Sequence, residues 1–191
     1  MKSVSISGSL RENVGKRDAK EQRTKGMIPC VLYGGAEQYQ FVVQEEQFRH
    51  LLYTPEVLYA DLTIGNKECK AIVQDTQFHP ITDKLLHVDF LEIVDKKPIT
   101  IEIPVHITGT SPGVLRGGKL SKKVRKLKVK GELKDIPERI MVDISGLDIN
   151  ESIKVSALSV DNIEFLEIPT KIVVSVLSTR NVEAAAQTEK A

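Results

Sequence analysis

At 191 residues the chain has room for one large domain or two small ones, and 41% hydrophobic with 28% charged residues is a globular mix rather than a disordered one. No apolar run approaches the ~18 residues that span a bilayer as a helix, and residues 1–12 lack the apolar core of a signal peptide, so a cytoplasmic protein without membrane contact is expected. The net charge of +1 hides two basic islands, +4 over residues 1–35 and +8 over residues 116–134, which are either solvated faces or two places that meet phosphate.

Residues 3–10 alternate through Val4 and Ile6 and predict a first strand. Residues 11–25 are polar and charged, with helix predicted over 16–25. That helix has almost no apolar face, so burial cannot stabilise it much. Gly26 stops it, residues 27–33 form a strand, and Gly34-Gly35 turn the chain. Residues 40–43 are another strand, and residues 45–52 a helical turn with Phe48, Leu51 and Leu52 on one face. Residues 58–64 and 68–74 pair through the Gly65-Asn66 turn.

The stretch 74–90 then supplies two strands joined by a polar connection. Leu86, Val88 and Phe90 alternate with His87 and Asp89, which predicts the apolar three on the core face and the polar two outside. Half a dozen short strands with little helix predict a small antiparallel β-barrel over residues 1–95. The pattern changes near Pro98. Residues 96–180 read as a second β-rich domain, and residues 181–191 as a disordered tail.

Three groups in the first domain carry possible chemistry. Lys16, Lys20 and Arg23 stand at i, i+4 and i+7 and share one helix face, with Arg11 just before them. Such a face grips phosphates, or is a salt-bridged surface helped by Glu12 and Glu21. Tyr33 before the double glycine is a core or edge tyrosine, or a ring packed on a ribose or base that the glycines let come close. Gln74, Asp75, Gln77, His87 and Asp89 make an outer strand face of donors and acceptors.

Catalytic readings are weaker. The His79, His87 and Asp89 spacing matches no compact zinc pattern, although a metal-dependent hydrolase built on those three is the enzymatic alternative. Cys30 and Cys69 lack CxxC spacing and read as thiols of a reducing compartment. No phosphate-binding glycine loop is present, so no cofactor and no small-molecule substrate is expected. With few aromatics for stacking single strands, the groups together favour a folded, double-helical RNA read through its shallow groove.

Motif residues then make the chain familiar. They include Leu10-Arg11, Gly15-Lys16, Arg23, Gly26, Ile28-Pro29, Tyr33-Gly34, Gln74-Asp75, Gln77, His79-Pro80 and His87-Val88-Asp89-Phe90. In the second domain they continue through Pro104-Val105, Ser111-Pro112-Gly113-Val114, Gly117-Gly118 and Val142-Asp143-Ile144. Over residues 3–177 the sequence resembles the long form of the bacterial ribosomal protein L-twenty-five family, the general stress protein CTC type. The resemblance implies a non-catalytic component of the large ribosomal subunit that binds 5S rRNA through the barrel and its short helix. Carried to this chain, it implies Arg11, Lys16, Lys20, Arg23, Tyr33, Gln74, Gln77, His87 and Asp89 as RNA contacts. Neighbouring rRNA and ribosomal proteins would be the other partners, and a stress-linked interaction module acting off the ribosome is the remaining alternative. Gln22 stands where the family usually has Leu, which is expected to weaken the helix's anchoring.

Overall fold

The chain opens with β1 (Lys2–Leu10) and the nine-residue helix α1 (Lys16–Thr24), followed by β2 (Met27–Tyr33) and β3 (Tyr39–Gln44). The computed structural model describes residues 1–35, 37–65, 67–94 and 97–179. Asn66 of the expected turn, Asp95 and Lys96 next to the expected boundary, and the expected tail at 181–191 lie outside those residues. A 3-10 turn (Glu45–Phe48) runs into the short helix α2 (Arg49–Leu52). Strands β4 (Leu58–Ile64), β5 (Lys67–Phe78) and β6 (Leu85–Glu92) complete the first of two compact units, Met1–Ile101 and Glu102–Ala191.

The first unit is a closed six-stranded barrel in the order β1-β3-β2-β6-β5-β4. Four seams are antiparallel, while β1–β4 and β2–β6 run parallel. Parallel neighbours need long connections between them, and here the intervening strands are the connection. The alternating apolar residues fill the interior. Phe90 sits in its middle, with the Phe41 ring 5.9 Å away and the Phe48 ring at 6.3 Å. Phe48, Leu51 and Leu52 do share one face, with Phe48 and Leu51 buried in the core and Leu52 packed against it.

One detail of the strand reading is corrected. Leu85, not Leu86, occupies the core position with Val88 and Phe90, and Leu86 is only half-buried. The β5–β6 register shifts between Gln77↔His87 and Phe78↔Leu85, so Leu86 is an extra residue and strict alternation fails there. A second shift between Val73 and Asp75 leaves Gln74 unpaired on β5.

Helix α1 buries none of its residues, so packing alone cannot hold it. Polar clamps do so at both ends. Arg11 Nε donates to Asp18 Oδ2 (3.0 Å) and its Nη2 pairs with the same oxygen, while Arg23 Nε donates to the Leu86 carbonyl of β6 (2.9 Å). Lys25 caps the helix, and Gly26 takes φ +74°, the left-handed position past a helix end that glycine adopts without a Cβ penalty.

The second unit is also β-rich. Strands β7 (Ile99–Thr108), β9 (Lys126–Gly131), β10 (Ile140–Asp143) and β12 (Glu164–Phe165) form a sheet ordered β10-β7-β9-β12. Strands β8 (Lys119–Lys122), β11 (Ser152–Lys154) and β13 (Ile172–Leu177) form another, ordered β11-β13-β8. Within the motif Ser111-Pro112-Gly113-Val114 a short helix α3 (Pro112–Leu115) begins. Ser111 accepts from the Val114 N–H and Pro112 opens the first turn, the two residues that favour a helix start.

Candidate nucleic-acid interface

The outer face of β5 and β6 collects the polar residues that alternation turns away from the core. Gln77 lies opposite His87, and Asp75 lies opposite Asp89. The Gln74 bulge causes the second pairing, because without the inserted residue Gln74 would face Asp89. Directly opposed side chains stand about 5 Å apart at Cβ, and like charges there repel. Asp75 Oδ1 accepts from the Thr76 N–H (2.8 Å), and Asp89 Oδ1 accepts from His87 Nδ1 (2.7 Å). That bond puts the imidazole proton on Nδ1 and leaves Nε2 of a neutral ring as an acceptor.

Tyr33 ends β2 next to β6, in register with Leu91. Its phenol is pushed up from the ordinary value, first by burial and then by the carboxylates of Asp89 and Asp75. It therefore remains a protonated donor beside two acceptors. The double glycine after it has a reason different from the one expected. Gly34 takes φ +96°, and a Cβ there would lie 2.5 Å from Leu91 Cδ1. A Cβ on Gly35 would collide with the Glu92 carboxylate. Gly34 is thus required by its own backbone angle, whereas at Gly35 the neighbour is only the flexible end of the Glu92 side chain.

Helix α1 stands beside this face. The Arg23–Leu86 bond ties it to the residue immediately before His87. Lys16, Lys20 and Arg23 are exposed on the helix, and four N–H donors of Arg23 remain after Nε is used. Arg11 is placed differently. Its side chain is 9% exposed and bound to Asp18, so it anchors the helix. Gln22 joins that anchor, donating from Nε2 to Asp18 Oδ1 (3.3 Å), in place of the apolar contact expected of Leu. The Arg11 hydrogen bond, then that of Gln22, holds the Asp18 carboxyl below the ordinary carboxylate value.

The structure thus brings together Tyr33, Gln77, His87 and Asp89, with Gln74 at the bulge and Arg23 at the edge. Asp75 belongs to the same face, and sequence periodicity missed its pairing because the bulge is invisible to it. Asp18, the partner that fixes α1, left no signal beyond its place in the first helical turn. His79 is committed elsewhere: its Nδ1 accepts from the N–H groups of Ile81 and Thr82 (both 3.3 Å) inside the β5–β6 loop. Among the described residues, no group of three or more His, Cys, Asp or Glu could hold a metal.

The first unit thus sets cations on a docked helix beside a face of acceptors and amides, and comparison with known proteins says which family carries this arrangement. Residues 6–90 match the profile described as the Ribosomal L25p family, and residues 98–180 that of the Ribosomal protein TL5, C-terminal domain. Large ribosomal subunit protein bL25 of Azobacteroides pseudotrichonymphae genomovar. CFP2 is 45% identical over 181 residues, 94% of this chain and 96% of that protein. The protein of the same name from Cytophaga hutchinsonii is 44% identical over 189 residues, 97% and 98% of the two chains. That from Porphyromonas gingivalis is 40% identical over 188 residues, again 97% and 98%. The chain belongs to the ribosomal L25p family, whose members are structural proteins of the large ribosomal subunit and not enzymes.

Proposed function

We propose that the barrel binds 5S rRNA, with α1 holding phosphates and the β5–β6 face reading base edges and sugar hydroxyls in a shallow groove. The Arg23–Leu86 bond carries this reading, because it fixes a phosphate-binding element against a base-reading one. The family resemblance points to 5S rRNA as the particular RNA. Lys16, Lys20 and Arg23 supply the charge, and Arg11 acts through the helix it anchors. Gln74, Gln77, His87, Asp89 and Tyr33 supply donors and acceptors. The opposed Asp75 and Asp89 repel phosphate, so they fit an RNA face only where base amines or 2′-hydroxyls meet them. Bound in this way, the protein works in the cytoplasm as part of the ribosome.

The test is a footprint on protein-free 5S rRNA together with a salt titration of binding. Each phosphate neutralised adds just under one unit to the slope of log affinity against log salt. Lys20→Ala should weaken binding and flatten that slope by about one unit. An unchanged slope places the helix face in solvent and overturns its assignment.

A further inference from the structure

The second basic island is not absorbed by the barrel's function. Its nine Lys and Arg residues are not equivalent in the fold. On β9, Lys126, Lys128 and Lys130 point to the same exposed side. Lys128 lies 3.8 Å from Glu102, and Lys130 stands opposite Glu164 in β12. Arg116 is paired with Asp148 at 2.8 Å. The corner where β8 passes into β9 differs. There Lys123, Arg125 and Lys126 are exposed and have no ion-pair partner among the described residues.

This corner is also held firmly. The N–H groups of Lys123 and Val124 both donate to the Val173 carbonyl (2.9 and 3.3 Å). Val105 of β7 donates its N–H to the Arg125 carbonyl (2.9 Å) and accepts from the Lys122 amine. Val124 is buried and pins the segment from within. The backbone that presents the three cations is therefore tied to both sheets, so little ordering is left to do when a partner arrives.

We propose that Lys123, Arg125 and Lys126 form a second RNA-binding surface, which holds the phosphate backbone of a helical RNA without reading its sequence. A phosphate backbone asks only for fixed cations, and these residues are nothing else. A protein interface of any strength is centred on buried aromatic or aliphatic anchors, whereas the only apolar residue within 122–126 points inward. The inference does not rest on what the barrel binds.

The test uses the full chain, a short RNA duplex of arbitrary sequence, and poly-glutamate as the acidic-polypeptide rival. Replacing Lys123, Arg125 and Lys126 together by Ala should weaken duplex binding by on the order of tenfold at low salt and flatten the salt slope by about two to three units. Lys123→Ala alone should flatten it by about one, and serves if the triple variant melts early. Exchanging Lys123 and Lys126 for Arg should keep the affinity, since charge and not shape is required. Equal duplex affinity and slope in wild type and triple variant overturns the proposal. So does poly-glutamate outcompeting the duplex for the wild-type protein.

Discussion

Phe90 and Asp89 are chain neighbours with opposite duties. Phe90 is fully buried between Phe41 and Phe48, and Asp89 faces outward against Asp75. Phe90→Ala should cost roughly 3–5 kcal/mol, a large part of the ~5–15 kcal/mol that stabilises a typical domain. Thermal melting should show it directly. Asp89→Ala removes one of two opposed carboxylates and a surface bond to His87, so melting should stay within about ±0.5 kcal/mol. Its loss should appear in RNA affinity, as a charge-assisted bond worth roughly 1.5–3 kcal/mol. If Asp89→Ala melts early yet binds normally, the carboxylate is structural and this face does not meet RNA. At this scale the sequence was legible wherever alternation held. It misled at Leu86, because a bulge changes which side a residue faces without changing composition.

At the scale of elements, α1 depends on its clamps. The Asp18 carboxyl is lowered from its ordinary 3.8 by the Arg11 hydrogen bond first and the Gln22 hydrogen bond second. A carboxyl lowered in the folded state contributes stability above its unfolded value, and that contribution is lost as pH falls through the folded value. The clamp is thus complete at neutral pH and releases only in acid, below 3.8. An NMR titration of Asp18 should give a midpoint below 3.8 in the wild type and a higher midpoint in Arg11→Ala than in the wild type. The same variant should loosen the helix and weaken RNA binding, although Arg11 itself is 9% exposed. A wild-type midpoint at or above the ordinary value means the pair is not formed in solution. The helix and its bounds were readable from composition and Gly26. Its attachment was not, since the residues that tether it, Asp18 and the Leu86 carbonyl, carry no periodic signal.

For the whole molecule, every residue assigned to 5S rRNA lies in the first compact unit. A fragment of residues 1–101 should fold alone and retain most 5S rRNA affinity while losing the corner at 122–126. Circular dichroism and the same binding titration check both halves. A folded fragment that binds at background level shifts the interaction to the second unit. Strand content and its division into two β-rich parts were legible from alternation and turn residues. A barrel was expected from the number of short strands, but its two parallel seams were not, because β1–β4 and β2–β6 join segments that no local pattern relates.

Those two parallel seams also set a timetable for assembly. Strand β2 has to wait for β6, which begins more than fifty residues later, and β1 has to wait for β4. Contacts so distant along the chain make for slow folding, in the millisecond-to-second range common to such β topologies (roughly 10⁻³ to 1 s). During synthesis from the N-terminus, β1, α1, β2 and β3 exist before the strand that seals them. The Leu86 carbonyl that docks α1 arrives with that same last strand. Sealing the barrel and seating its cationic helix are therefore one event, and a nascent or truncated chain lacking β6 has neither.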